Sequence, residues 1–284
     1  MAIFTNQATL SYNNTTTTSN IVTGEIVEVL SAAKNALNEE YRFGDTVTYV
    51  ISIVNTGSAA FNNLTISDDL GAYTIGGLTR TPLTYVDGSL AYYANGILQA
   101  GATAVAGPPL VITGINVPAG GNAIVIYEAR VNEFAPLASG SVIVNEATIS
   151  GAGLTTPIEV SDTITIADAA QLSITKSLTP ETVTENGQLT YTFTIQNTGN
   201  TPAVTTDDVT VTDLFNPILE NITVALNGTV LTEGPQYIYD EATGLFQTVA
   251  GVITVPAATY TQDPTTGQWN IVPGVTVLTV TGTV

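Results

Sequence analysis

The sequence contains no cysteine and no histidine, and only 5 of its 284 residues are lysine or arginine. Those absences exclude disulfides, thiolate and imidazole metal ligands, cysteine nucleophiles and histidine-based catalytic triads. With 24 acidic residues the formal net charge is −19 at pH 7. A chain this negative lacks the clustered basic side chains that nucleic acids and anionic membranes require, so we expect neither as a partner.

Long apolar runs are also missing. No stretch approaches the ~20 apolar residues that span a bilayer, and the first residues lack the basic and apolar regions of a signal peptide. Hydrophobic residues still make up 44% of the chain, which is enough for packed cores, and the length predicts about two domains. The last residues, GVTVLTVTGTV, read as an alternating strand. We expect assembly in the cytoplasm in which the chain is made.

Most segments have the two-residue period of half-buried strands. Residues 46–54 (TVTYVISIV) and 189–195 (LTYTFTI) are the clearest, and each is followed by an Asn-Thr-Gly turn. Residues 31–40 (SAAKNALNEE) form the one helix-like stretch, which we expect to be at most a turn. Many short strands without a strand–helix–strand rhythm predict an all-β protein of two tandem immunoglobulin-like antiparallel sandwiches.

An internal repeat defines the two domains. The segment from Lys34 through TVTYVISIVNTG to LTISDDL recurs from Lys176 through QLTYTFTIQNTG to VTVTDLF. The repeat pairs Lys34 with Lys176, Tyr49 with Tyr191, Asn55 with Asn197, and Asp68 with Asp213. Further along, we align Val117-Pro118 with Val272-Pro273.

The first copy continues into one more strand, SVIVNEATIS, that the second copy lacks. Its match is at the other end of the chain, where residues 6–11 (NQATLS) align with residues 145–150 (NEATIS). A chance match and a fold-back of this strand into its own second domain are the alternatives. The predicted organisation is an N-terminal donor strand at 1–12, a linker at 13–24, a first domain at 25–151, a linker and lead-in strand at 152–162, and a second, strand-deficient domain at 163–284.

A sandwich without its edge strand leaves apolar core and backbone groups uncovered. A strand from another copy can fill the gap by donor-strand complementation. Because donor and acceptor are different surfaces, the contact is head-to-tail and propagates as a filament unless the rotation closes a ring. The predicted assembly residues are Ile3, Phe4, Asn6, Ala8, Leu10 and Tyr12.

The chain has two lysines, at equivalent positions of the two copies. The strand period places each on the apolar face, and an inward asparagine and a nearby aspartate accompany it. This trio is what an amide (isopeptide) bond between lysine and asparagine requires, with the aspartate as proton carrier. We assign Lys34, Asn145 and Asp68 to a bond within the first domain, and Lys176, Asn6 of a neighbouring chain and Asp213 to a bond between chains. The alternative is that both lysines lie at sheet edges and extend to water.

Other features indicate no bound group. Asp68-Asp69 and Asp207-Asp208 offer oxygen ligands for calcium, but no calcium-loop spacing surrounds them, and the aromatic residues are scattered. We predict no metal, no cofactor and no enzyme with turnover; at most, the bond forms once per site.

The quoted motifs, most clearly at 46–70 and 188–215, together with the closing NxAT strand, resemble the bacterial conserved-repeat family known as domain of unknown function eleven. That resemblance implies immunoglobulin-like repeats of Gram-positive surface proteins. A two-repeat chain without secretion signals is similar to the appendage subunits of clostridial endospores, which are built in the mother cell and released on lysis. It implies a self-assembling structural subunit of an extracellular or spore-surface filament whose partners are copies of itself. The alternative is an immunoglobulin-like binding module of a bacterial surface adhesin.

Overall fold

The computed structural model describes residues 2–284, which are built almost entirely of antiparallel strands. The described residues contain one short 3₁₀ turn, Thr205–Asp207. The chain divides into two compact units, residues 1–135 with 142–165 and residues 136–141 with 166–284. No helix in the described part of the chain has the length and apolarity needed to cross a membrane.

The first four strands form a ribbon of two arms. They are β1 (Ala2–Asn6), β2 (Thr9–Tyr12), β3 (Thr15–Thr18) and β4 (Val22–Ile26), with β1 and β2 in the first arm and β3 and β4 in the second. β1 pairs with β4 and β2 with β3, and Asn13 and Asn14 make the turn with positive φ angles of 44° and 61°. Two successive residues in that region are typical of tight hairpin turns. The linker predicted at 13–24 is therefore wrong, because most of it is the second arm of this ribbon.

The first unit is a sandwich of two sheets. One has the order β13-β12-β16-β7-β5 with β11 beside β16, and the other β14-β15-β8-β17-β18-β6; β9 and β10 form a separate hairpin. The strands are β5 (Leu30–Ala36), β6 (Glu40–Tyr41), β7 (Thr46–Asn55), β8 (Phe61–Asp68), β9 (Tyr73–Ile75), β10 (Leu78–Arg80), β11 (Leu83–Tyr85), β12 (Ala91–Ala94), β13 (Ile97–Leu98), β14 (Thr103–Val105), β15 (Leu110–Val117), β16 (Asn122–Val131), β17 (Val142–Ser150) and β18 (Ile158–Ile166).

Two expectations for this unit are corrected. The alanine-rich stretch 31–40 is largely strand, because β5 pairs along its length with β7 and that pairing overrides local helix propensity. The segment predicted as linker and lead-in at 152–162 contributes β18, which pairs with β17 over eight positions and belongs to the first unit. The first sandwich is thus longer at its C-terminal side than the repeat alignment indicated.

The second unit has a five-stranded sheet, β19-β20-β28-β22-β23, facing a smaller one, β21-β25-β24. The strands are β19 (Leu172–Thr179), β20 (Gln188–Asn197), β21 (Thr212–Leu214), β22 (Glu220–Leu226), β23 (Thr229–Val230), β24 (Tyr237–Asp240), β25 (Leu245–Thr248), β26 (Thr259–Gln262), β27 (Trp269–Val272) and β28 (Gly274–Thr283). Side chains of both sheets form one apolar core, which includes Phe193, Phe215, Phe246 and Leu278. β26 and β27 form an additional hairpin.

Matching turns confirm the repeat. The Asn55 side chain accepts from Gly57 N and donates to Pro118 O at 2.9 Å. Asn197 accepts from Gly199 N and donates to Pro256 O at 3.0 Å. Pro256, not Pro273, is therefore the counterpart of Pro118, and the hairpin β26–β27 is an insertion before β28. The predicted fold, two tandem immunoglobulin-like sandwiches of which the second has no final strand among residues 2–284, is confirmed.

Candidate functional site

Three strands of the first unit bring Lys34, Asp68 and Asn145 together. Lys34 lies opposite Ile51 on the inner face of the β5–β7 sheet. In the facing sheet Asp68 lies opposite Ala147 of β17, and Asn145 is two residues before Ala147. Side chains two residues apart on a strand share a face, so Asp68 and Asn145 are neighbours that point toward Lys34 from the opposite sheet.

The lysine and aspartate form an ion pair inside the sandwich. Lys34 Nζ donates to Asp68 Oδ2 at 2.7 Å, and both side chains are completely buried. Burial lowers the pKa of Lys34 below its usual 10.5, while the charge of Asp68 partly opposes that effect. Desolvation therefore favours the neutral amine, which is the nucleophilic form. Lys34 lies on β5, the edge strand of its sheet, but its buried side chain does not extend to water as the alternative requires.

Two tyrosines complete the cluster. The Tyr127 hydroxyl donates to Asp68 Oδ2 at 2.5 Å and accepts from Asn145 Nδ2 at 3.3 Å. The Tyr127 ring stacks on Tyr49 with centroids 5.5 Å apart. Burial raises the pKa of both hydroxyls well above the usual 10, so both are protonated. The Tyr49 hydroxyl and Asn145 Oδ1 are buried without a hydrogen-bond partner, a costly state that marks a polar site.

Tyr127 is not among the site residues predicted from the sequence. A signal was present, since the alternation in AIVIYEARV (residues 123–131) places the tyrosine on the inner face of its strand. An inward hydroxyl among apolar residues needs a partner. Which partner it finds depends on how two sheets pack, and no strand pattern states that.

This arrangement has the parts for amide formation. A neutral Lys34 amine can attack the Asn145 side-chain carbonyl carbon, with Asp68 in contact to take the amine proton. The products are a Lys34–Asn145 amide and ammonia. Burial keeps the nucleophile desolvated and excludes water as a competitor.

The second unit holds half of the same cluster. Lys176 lies opposite Phe193 as Lys34 lies opposite Ile51, and its ammonium forms an ion pair with Asp213. The ammonium is 4.1 Å from the ring centroid of Tyr191, the counterpart of Tyr49. The Lys176 side chain is 39% exposed, in contrast to the buried Lys34. No strand equivalent to β17 lies beside it among residues 2–284.

An open groove marks the place of that strand. β8 has β15 on one edge and β17 on the other, whereas β21 is the last strand of its sheet in the described chain and pairs with β25 alone. The groove has a volume of about 350 Å³ and is lined by residues that include Ile174, Lys176, Phe193, Val211 and Asp213. Ile174 is 53% exposed and Leu172 is 41% exposed, although both face the side that is the core side in the first unit.

The ribbon carries the remaining predicted residue. Asn6 lies opposite Val22 and is exposed, and the single chain shows Asp213 as the ion-pair partner of Lys176. Phe4 is 51% exposed, with its ring over Gly24. The predicted assembly residues Ile3, Phe4, Asn6, Ala8, Leu10 and Tyr12 are all exposed. A two-stranded ribbon with this much uncovered apolar surface is at best marginally stable alone.

No family model and no curated protein matches this chain. Similar solved structures include BcpA, the major pilin subunit of Bacillus cereus, which is 11% identical, over 95% of this chain and 73% of the pilin, with a TM-score of 0.38. A fragment of the major pilin GBS80 of Streptococcus agalactiae is 12% identical, over 81% and 79%, with a TM-score of 0.36. The collagen-binding domain from a Staphylococcus aureus adhesin is 11% identical, over 50% and 99%, with a TM-score of 0.29. Likenesses this distant leave the function to be argued from the chain's own residues.

Proposed function

We propose that this protein is a structural subunit that assembles head-to-tail into a filament. In this assembly β1–β2 of one copy fills the groove beside β21 in the next. The observation that carries the proposal is the contrast between the two units. In the first unit the groove is filled by β17, and in the second it is open, while residues 6–11 (NQATLS) resemble residues 145–150 (NEATIS) of β17.

Strand edges support the same pairing. β17 lies between β8 on one edge and β18 on the other. β1–β2 already has β3–β4 along one edge, and its other edge is free in the described chain. A ribbon that enters the groove can therefore pair with the free edge of β21 and reproduce the arrangement around β17. The donor in this proposal is the whole ribbon, not a single strand on a flexible linker.

Apolar surface supports it as well. Phe4, Ala8 and Leu10 alternate on one side of the ribbon. The groove exposes Ile174, and Leu172 is exposed on the same face of β19. Joining the two covers side chains that each surface leaves in water, and such burial is the main driving force for association. Because donor and acceptor are different surfaces, each added copy offers a new groove or a new ribbon, and the assembly can continue as a filament.

The lysine sites then serve to lock the filament. We propose that Lys34 and Asn145 form an amide within each subunit with Asp68 as proton carrier. When β1–β2 occupies the groove in the register of β17, Asn6 takes the position of Asn145 beside Lys176 and Asp213. A second amide then joins each subunit to the next. A chain without cysteine gains covalent cross-links in this way.

The proposed filament lies outside the cell or on the spore surface, as the resemblance to endospore appendage subunits implies. Its partners are other copies of the chain. Each amide forms once and is not turned over, so the chemistry is a maturation step of a structural protein.

Electron microscopy of the purified full chain tests the assembly. The full chain is expected to form filaments, and Ile174→Glu is expected to remain monomeric because it places a charge in the groove. Ser173→Glu is the matched control, since it lies on the outer face of the same strand and should leave filaments intact. Deletion of residues 1–12 should also give monomers.

A mixing experiment separates donor from acceptor. Ile174→Glu keeps its ribbon, and the deletion variant keeps its groove, so an equimolar mixture should give heterodimers that grow no further. Filaments from either variant alone would overturn the donor-strand proposal. A full chain that remains monomeric would favour the binding-module alternative.

A further inference from the structure

A continuous line of hydrogen bonds joins the attacking and the leaving nitrogen of the first unit. It runs from Lys34 Nζ to Asp68 Oδ2 (2.7 Å), on to the Tyr127 hydroxyl (2.5 Å), and ends at Asn145 Nδ2 (3.3 Å). All four residues, Lys34, Asp68, Tyr127 and Asn145, are buried, so bulk water does not reach the groups along this line.

Amide formation needs such a line of hydrogen bonds because protons must move from the attacking nitrogen to the leaving nitrogen. Lys34 Nζ has to lose protons, and Asn145 Nδ2 has to gain one before it can leave as ammonia. The Asp68 side chain bonds to Lys34, to Tyr127 and to the backbone N–H of Leu70. The group that contacts Asn145 Nδ2 is the Tyr127 hydroxyl.

We propose that Tyr127 is a catalytic residue that relays a proton from Asp68 to the leaving nitrogen of Asn145. This proposal rests on the amide bond of the proposed function and assigns as the acid the hydroxyl that accepts from Asn145 Nδ2 before the reaction. Asp68 is the base that takes protons from Lys34, and Tyr127 is the acid that gives a proton to Asn145.

Two protons leave Lys34 Nζ, and both end on the nitrogen that departs. Asp68 takes one proton from the Lys34 ammonium, and the neutral amine adds to the Asn145 carbonyl carbon. In the tetrahedral intermediate Nδ2 has a free electron pair, the Tyr127 hydroxyl gives it a proton, and Asp68 replaces the proton on the tyrosine oxygen. Asp68 then takes the second proton from Nζ, the bond from carbon to Nδ2 breaks, and ammonia leaves. The proton left on Asp68 departs with ammonia as ammonium.

The second unit lacks this relay. Tyr127 lies opposite Tyr49 in the first sheet, and Val280 lies opposite Tyr191 in the corresponding position of the second. Phe215 stacks on Tyr191 instead, with centroids 5.0 Å apart, and it has no hydroxyl. We therefore expect the Lys176–Asn6 amide to form more slowly than the Lys34–Asn145 amide.

Cell-free synthesis of the full chain, with samples quenched over time and digested, measures the cross-linked Lys34–Asn145 peptide by mass spectrometry. Tyr127→Phe should slow its appearance at least about a hundredfold, the lower end of the contribution of a general acid. Tyr85→Phe is the control, because this ring packs 6.5 Å from Tyr127 and no part of the relay uses its hydroxyl; its rate should match the wild type.

Tyr127→His separates chemistry from packing. Histidine keeps a group that accepts and donates protons, so it should recover part of the rate that phenylalanine loses. The relay is wrong if Tyr127→Phe forms the peptide at the wild-type rate, or if the two variants, each with a cooperative melting transition, are equally slow. A wild-type chain that never forms the cross-linked peptide contradicts the amide of the proposed function itself, which is a separate result.

Discussion

Removal of the amide within the first unit should have a large and specific effect on stability. The test is Asn145→Ala in a chain that also carries Ile174→Glu to keep it monomeric. The amide would close a loop of about 110 residues between positions 34 and 145. Loop-closure entropy for a cross-link of that length contributes about 4.7 kcal/mol. For a unit of on the order of 150 residues, this lowers the Tm by roughly 10–20 °C.

Two measurements separate the loss of a cross-link from a local packing defect. Intact mass should show the parent chain lighter than its sequence by one ammonia, about 17 Da, and the alanine variant at its full expected mass. Urea unfolding should then give a larger m-value for the variant, because an unfolded chain without a cross-link exposes more surface. A packing defect alone lowers the midpoint and leaves the m-value unchanged.

Asn6→Ala in the same background is the matched control. It removes an asparagine of the same predicted chemistry from the exposed ribbon, and the unfolding of the first unit should not change. The reasoning is refuted by a parent chain at its full sequence mass, or by an alanine variant whose midpoint and m-value equal those of the parent.

Two further results are expected. Filaments of Asn6→Ala should form but dissociate to monomers when boiled in SDS. Gln7→Ala, one residue away and facing outward, is the control and should keep an SDS-resistant ladder of bands. Equal ladders from the two variants would contradict the Lys176–Asn6 bond. The rate of Lys34–Asn145 amide formation should fall as pH rises through the pKa of Lys34. Above that pH the Lys34–Asp68 pair has lost the proton that must pass through Tyr127 to the leaving nitrogen of Asn145. Since burial lowers that pKa from 10.5, the fall should begin below that pH, and a rate that rises steadily past it contradicts a shared proton. The groups that face Lys34 are Asp68, Asp69, Asp162, Tyr49 and Tyr127.

The repeat made much of the fold and site predictable. Two copies of one pattern define the two sandwiches, and the two-residue period of β17 places Asn145 inward beside Asp68. Lys34 was harder, because the alanine-rich stretch around it has helix propensity and only its pairing with β7 makes it a strand. Composition alone misjudges segments whose structure depends on a neighbouring strand.

The remaining errors have local causes. The ribbon's second arm begins with an Asn-Asn turn followed by four threonines, both hairpin signals, but polar composition favoured a linker. The insertion β26–β27 follows Val255-Pro256, which has the same residue types as Val272-Pro273, and the hydrogen bonds of the Asn197 turn distinguish them. The role of Tyr127 depends on its contacts with the opposite sheet, and strand patterns do not encode such long-range contacts.

The two proposed amides, Lys34–Asn145 and Lys176–Asn6, would have a mechanical consequence for a pulled fibre. With both formed, a covalent path would enter a subunit at Asn6, follow the backbone to Lys34, cross to Asn145, follow the backbone to Lys176 and pass to the next subunit. It uses two backbone spans of about thirty residues each, positions 6–34 and 145–176. Tension borne by this path bypasses positions 35–144 and 177–284, so their hydrogen-bonded strands are not drawn apart. Loops in those two stretches can then vary in sequence without weakening the fibre.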